Sequence, residues 1–445
     1  MAKEKKRAIN RLQSIYPLRA LVDERYKRSS EAMKAGKPTA WSMVNWWLPE
    51  AILNVMGVET MYPENYGPVC AATGAAESYL NRSDSEGFPT HMCGYARNTL
   101  GYSARMMEDL KGEIPPEAPM GGMPRPALLL SSGIMCDARY KWFQALGRYM
   151  DAPVWVLELP HPGVEEEAMD GVHEDNINFM VEGLREFVAF LERLVGKKMD
   201  WDRLYEAQRD IEEICRVWHE TNELRKARPC PMHSRDFWTG MTGGLFPSGN
   251  LKELLELYRK TYDEVKYRVD NKVSAIVEEK YRIVFSELPP WHSLGFFDKL
   301  AERGWNFVME SWNYHPPIPL DMSGIGDPLE RIARFTYQWY AARHPRALQE
   351  REYWGFAYGY LDYAKEYKCD GAFLHTLLTC RTASSHLNYL QDMLIRRLKV
   401  PSLVVDGDIV DLRLFDPEDV LNKSEAFEET MEHYREERKK EGFDW

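Results

Sequence analysis

The strongest constraint on the fold is an alternation. Short apolar runs, TAWSMV at 39–44, VETMY at 58–62, ALLLS at 127–131 and VWVLE at 154–158, are separated by stretches of helical pattern. Examples are PEAILNVM at 49–56, closed by Gly57, and the segments 70–80 and 138–149. Parallel strands need a crossover between them, and that crossover is usually a helix, so this alternation predicts a parallel α/β sheet. The pattern returns later, with strands predicted at 281–286, 305–309, 371–375 and 402–406 and helices at 327–343, 346–367 and 384–397. Between the two blocks the chain reads as long amphipathic helix (Phe187, Phe190, Leu191, Leu194) interrupted by a loop around 230–249. The expected organisation is an N-terminal helical segment at 1–34, a first α/β domain at 35–173, a helical insertion at 174–274 and a second α/β domain at 275–445. The last helix, about 417–440, carries alternating charges and reads as a solvated surface helix.

A chain of 445 residues exceeds what one hydrophobic core usually serves, which agrees with more than one domain. With 57 basic against 69 acidic residues the net charge is −12, which repels phosphate backbones and argues against a nucleic-acid partner. The N-terminus is basic but has no apolar signal core, and no apolar run reaches the length of a membrane span, so a soluble cytoplasmic protein is expected. No GxxxxGK[ST] occurs and no strand is followed by GxGxxG. Nucleotide chemistry is therefore expected on another chain.

Seven cysteines, an odd number, fit a reducing compartment in which thiols serve metals or the core. Cys93 lies in THMCGYARNTLGY (90–102), beside glycine and outside any apolar stripe. Cys136, in SSGIMCD (131–137), follows one predicted strand, and Cys380, in HTLLTCR (375–381), follows another. Ligands of open α/β sheets bind beyond the carboxyl ends of the strands, so two domains facing across a cleft would bring these three thiols together. Three thiolates suit zinc, Cu(I) or an iron–sulfur cluster. Structural zinc wants a fourth ligand and usually a local CxxC pair, which this chain lacks, whereas a four-iron cluster on three cysteines leaves one iron open. Burial as ordinary free thiols is the alternative, and spacing leaves both open. Cys70, Cys215 and Cys369 read as core residues, and CPMH at 230–233 as structural.

The stretches WSMVNWWLPEAILNVMGVETMYPENYGP, HMCGYARNTLGY, SSGIMCDARYKWFQALGRY, DGAFLHTLLTCRTASSHLNYLQDML and VPSLVVDGDIVDLRLF run in this order between about residues 38 and 415. They resemble the successive motifs of the benzoyl-CoA reductase and 2-hydroxyacyl-CoA dehydratase family. The resemblance implies two flavodoxin-like parallel-sheet domains with a [4Fe-4S] cluster between them, held by Cys93, Cys136 and Cys380. It also implies a second homologous cluster-bearing subunit and an ATP-hydrolysing iron–sulfur activator. Within the family the similarity is to the larger substrate-reducing subunit of the ATP-dependent reductases, which implies reductive dearomatisation of an aryl-CoA thioester to a cyclic dienoyl-CoA. A 2-hydroxyacyl-CoA dehydratase subunit and a non-catalytic electron-relay subunit are the alternatives. The aromatic-rich first motif favours the reductase, with Trp41, Trp46 and Trp47 as candidates for a ring pocket and core packing as their ordinary reading. His91, His161, His375 and His386 are the histidines nearest the cysteine motifs. Each is a candidate proton donor, and His91 is better suited to orienting a ligand. Asp406-Gly407-Asp408, at the end of a predicted strand, reads as a cap for the next segment, with contact to substrate or partner as the alternative.

Overall fold

The computed structural model describes residues 8–133, 136–160, 171–286, 288–310, 322–341 and 355–445. Eight strands form two four-stranded sheets among the described residues, and every pairing between them is parallel. The first sheet holds β1 (Thr39–Ser42), β2 (Glu59–Met61), β3 (Leu128–Ser131) and β4 (Val154–Val156) in the order β2-β1-β3-β4. The second holds β5 (Tyr281–Phe285), β6 (Trp305–Glu310), β7 (Gly371–Leu377) and β8 (Ser402–Gly407) in the order β6-β5-β7-β8. Each sheet thus repeats the doubly wound, flavodoxin-like order, with its reversal between the first and third strands. Each of the predicted strands is present, shifted by no more than a few residues.

Side-chain alternation along β3 shows how the first sheet is buried on both faces. Leu128 and Leu130 join a core with Phe187, Leu191, Leu204 and Ile211 from the helices Val172–Val195 and Trp201–Glu223. Leu129 points the other way, into a core with Leu100, Phe143 and Leu146. Among the described residues four α-helices, Val172–Val195, Trp201–Glu223, Ser234–Leu245 and Leu251–Asp270, lie between β4 and β5.

Two expectations change. The single helix over 70–80 is two, Pro63–Thr73 and Ala76–Ser85, because Gly74 turns the chain through φ +80°. The loop expected at 230–249 contains the helix Ser234–Leu245, whose glycines and threonines mask it in sequence. The His233 ring starts it, Nδ1 accepting from the Arg235 N–H at 3.0 Å. Among the described residues no helix is long and apolar enough to cross a membrane.

Candidate functional site

The reversal points of both sheets open on one cavity of about 180 Å³. Beyond β1 lie Val44 and Trp46, beyond β3 Cys136 and Arg139, beyond β5 Leu288 and Trp291, and beyond β7 Cys380 and Thr382, all lining it. Cys93 lines it too. The three thiols singled out in sequence therefore meet at one place. They are half-buried, whereas Cys70, Cys215, Cys230 and Cys369 are buried.

Each of the three is the residue before a helix: Cys93 precedes Gly94–Ala104, Cys136 precedes Asp137–Met150, and Cys380 precedes the single turn Arg381–Ser384. Helix starts ordinarily carry Ser, Thr, Asp or Asn, whose oxygens accept the orphan N–H groups. Here sulfur stands in that position. Burial pushes the Cys93 thiol well up, and the neighbouring Cys380 and Cys136 push it further, while the Ala96 N–H favours its thiolate. Burial also raises Cys136, opposed by the Arg139 guanidinium and by the N–H groups of Arg139 and Ala138. Uncompensated, such a cluster of thiolates is unfavourable; a bound cation removes the repulsion. Among the described residues, no three His, Cys, Asp or Glu side chains stand close enough to hold a single metal ion.

The loop after β8 fixes two of the thiols relative to each other. Asp408, buried, accepts from the N–H groups of Val410 and Asp411, both at 2.8 Å, and from the Thr379 hydroxyl. The same hydroxyl accepts from the Gly94 N–H at 3.3 Å. Thr379 precedes Cys380 and Gly94 follows Cys93, so one carboxylate ties both cysteine segments together. Arg97, on the next turn, bridges Asp84 at 2.6 Å and Asp411 at 3.1 Å with its own side chain fully buried.

The tryptophans separate. Trp46 lines the cavity, with the Arg139 guanidinium 5.0 Å from its ring centre. Trp41 is in the core, its indole N–H donating to the Pro124 carbonyl at 2.9 Å, and Trp47 is in the other core, donating to Gly244 at 2.7 Å. Trp46 and Trp47 have φ of +46° and +72°, a left-handed conformation costly for bulky side chains. It is held from outside: Thr336 donates to the Trp46 carbonyl at 2.7 Å, and the Trp47 ring meets Phe335 edge-on at 5.4 Å.

The described candidate histidines, His91, His375 and His386, do not line the cavity. His91 is exposed. His375 is buried with Nδ1 2.8 Å from the Leu288 carbonyl, and burial pushes its pKa down to about 4. A ring that is neutral at pH 7 with this contact is an Nδ1–H donor to a carbonyl. His386 is buried before the helix Leu387–Leu398, and His161 lies outside the described residues.

Sequence reasoning missed the acid and cation of the cavity. Glu64, in the first turn of Pro63–Thr73, accepts from the Val44 N–H at 2.6 Å and lies 3.5 Å from Arg139, which also donates to the Val44 carbonyl. Trp291 and Tyr95 complete that side, the indole N–H donating to the phenol oxygen at 2.7 Å.

Residues 45–431 match the family described as 2-hydroxyglutaryl-CoA dehydratase, D-component. The (R)-phenyllactyl-CoA dehydratase alpha subunit of Clostridium sporogenes is 24% identical over 93% of this chain and 94% of its own length. The (R)-2-hydroxyisocaproyl-CoA dehydratase alpha subunit of Clostridioides difficile is 25% identical over the same shares, 93% and 94%. A benzoyl-CoA reductase subunit of Thauera aromatica is 26% identical over 79% of each chain. The match takes in all three cysteines, Glu64 and Arg139, and on that extent the chain belongs to the 2-hydroxyglutaryl-CoA dehydratase D-component family.

Proposed function

We propose that this chain is the cluster-bearing subunit of an enzyme that activates an acyl-CoA thioester by one-electron reduction. The observation that carries the reading is the meeting of Cys93, Cys136 and Cys380 at one cavity between two sheet reversal points. The donor set fits the cofactor. Three soft thiols, each at the residue before a helix, line one cavity, a donor set that suits an iron–sulfur cubane. Two of the thiols stand at the starts of full helices, Gly94–Ala104 and Asp137–Met150, which supply partial positive charge to an anionic cluster. A bound [4Fe-4S] cluster would supply an electron and, at the iron without a cysteine, a Lewis acid for the thioester carbonyl.

The chain's own residues supply the rest. Trp46, Trp291, Phe246, Met241 and Leu245 give the cavity apolar walls that exclude water around the acyl group. Glu64 is the carboxylate lining that cavity, and Arg139, 3.5 Å away, fixes its direction, so Glu64 is the group placed to take or return a proton on the bound acyl chain.

Two outcomes of that first electron remain distinct. The dehydratase outcome is favoured by Glu64, since loss of water from a 2-hydroxyacyl group needs a base on the acyl chain, and by the relatives that match nearly end to end. The ring-reduction outcome is favoured by the aromatic walls and by the reductase relative. With Trp41 and Trp47 in the core, the first motif no longer tilts the choice toward the reductase. The relatives' names speak of subunits, which supports a partner subunit for this chain; a cluster in that partner and an ATP-hydrolysing activator rest on the motif resemblance alone.

The test is anaerobic purification with the partner subunits, followed by iron and sulfide analysis and assays on 2-hydroxyacyl-CoA and aryl-CoA thioesters. Cys93→Ala, Cys136→Ala and Cys380→Ala should each lose most of the iron this chain carries, whereas Cys70→Ala and Cys215→Ala should keep it. Formation of an enoyl-CoA without net consumption of reductant identifies the dehydratase; a cyclic diene with reductant consumed identifies the reductase. Full iron in Cys136→Ala overturns the site.

A further inference from the structure

A second cavity, about 910 Å³, lies between the helices Trp201–Glu223 and Leu251–Asp270 on one side and Pro328–Ala341 on the other. We propose that it binds the phosphate-bearing nucleotide end of the acyl-CoA substrate; this rests on the acyl-CoA reading above. In a CoA thioester a long pantetheine arm separates the reacting carbonyl from a diphosphate and a 3′-phosphate, so the nucleotide needs a site of its own away from the thiols. On a chain of net charge −12, such a site requires local cations.

The cavity supplies them. Arg209, Arg216, Lys252, Arg259 and Arg331 line it. Some are already engaged: Arg331 grips Glu212 with both its Nε and an amino group, and Arg216 and Arg259 share Glu213. Glu206, a further acid of the lining, faces Arg203 at 3.2 Å. Arg209 and Lys252 have no ion pair among the described residues, and Asp210 is the acid left against them. Among the described residues a phosphate dianion therefore finds two exposed cations outside the ion pairs named above, sharing them with Asp210 alone. Tyr205 lines the same wall, its ring under the Arg331 guanidinium at 5.3 Å.

The cavity also adjoins the thiol site. Phe335 lines it and meets Trp47 at 5.4 Å, while Thr336 holds the carbonyl of Trp46, which lines the thiol cavity. The Phe335–Trp47 contact and the Thr336–Trp46 bond thus link the walls of the two cavities through the left-handed Trp46–Trp47 segment.

The test is calorimetric titration of the full-length chain with adenosine 3′,5′-bisphosphate and with CoA. Arg209→Glu and Lys252→Glu together should weaken both ligands by about tenfold or more, the cost of losing charged phosphate contacts, with the melting temperature unchanged because both side chains are exposed. Arg185→Glu, an exposed charge reversal on Val172–Val195, should change neither. Wild-type binding that survives the double reversal, or no binding of the bisphosphate by the wild type, overturns the proposal. If the double variant loses its partner subunit while keeping the bisphosphate, the cavity is a protein interface and the proposal also falls. None of these outcomes touches the iron content of the cysteine variants, which tests the acyl-CoA site separately.

Discussion

A Cβ on Gly94 would stand 2.6 Å from Oδ1 of Asp408 and 3.2 Å from Cβ of Val410. The residue after Cys93 is glycine because the start of its helix presses against the loop after β8. This contact lets Asp408 hold Thr379, and with it Cys380, at a fixed position relative to Cys93. Gly94→Ala is expected to push these segments apart and to lower the iron retained per chain to well under the roughly four atoms of one cluster. Asp408→Asn, which keeps the size but weakens the acceptor, should lower it less. Iron and sulfide analysis after anaerobic purification checks both. Full retention in Gly94→Ala would show that the Cys93 segment is positioned by something else.

Glu64 and Arg139 give a kinetic prediction. Glu64→Gln removes the carboxylate while keeping its hydrogen bond from the Val44 N–H, so iron should be retained and turnover should fall by about 10²-fold or more, as for other lost general acids and bases. Arg139→Lys keeps the charge but loses the planar contact on Trp46 and the reach to two partners, so a smaller loss is expected. Rates and iron content measured on the same preparations decide. Unchanged turnover in Glu64→Gln would remove Glu64 from the chemistry.

These residues show where the sequence was readable and where it was not. The strands were legible because the runs at 39–44, 127–131 and 371–375 are short, apolar and bounded by turn residues, a local signal. Cys136 and Cys380 were legible because each follows such a run. Glu64 was not. An acid in the first turn of a helix is ordinary, and its partner Arg139 is 75 positions away, so nothing local distinguishes it from a solvated residue. Trp41, Trp46 and Trp47 share one motif and split only when the chain turns left-handed at 46 and 47, a conformation no tryptophan announces. The helix Ser234–Leu245 hid for a similar reason: its glycines at 240 and 243 allow close packing against Trp218 and Tyr258, which composition alone reads as loop.

A stability prediction follows from the buried pair between Arg225 and Glu310, which joins the segment after Trp201–Glu223 to the end of β6. Two bonds of 2.8 and 2.5 Å connect them, and both side chains are fully buried. Glu310 raises the Arg225 pKa, against burial. Removing one partner strands the other charge, at ~3–5 kcal/mol. Glu310→Gln should therefore destabilise strongly, while Arg225→Met with Glu310→Leu should recover much of the loss. Chemical denaturation of the wild type and the two variants measures it; equal stability of the single and double variants would contradict a desolvated pair.

Glu50 supplies a pH test. Its carboxyl is buried at the start of Glu50–Met56, and burial pushes its pKa from 4.5 up to about 8, outweighing the Tyr62 hydroxyl beside it. The sign follows from proton counting. Above pH 4.5 the unfolded chain ionises this group and the folded chain keeps its proton, so folding takes up a proton and stability falls as pH rises. The fall ends near pH 8, where the folded carboxyl ionises too. Glu50→Gln removes this dependence. Gln also leaves an amide to satisfy, so its absolute stability at one pH decides nothing, and the difference between variant and wild type across pH is the quantity to read. That difference should be flat below pH 4.5 and should then move in favour of Glu50→Gln by several degrees of Tm between pH 5 and 8. Tyr62→Phe, which deletes the neighbouring hydroxyl, should carry the decline on to higher pH, since the hydroxyl favours the ionised form. A difference that stays constant from pH 5 to 8 would mean that Glu50 is ionised in the folded protein and paired by a group brought to it on folding.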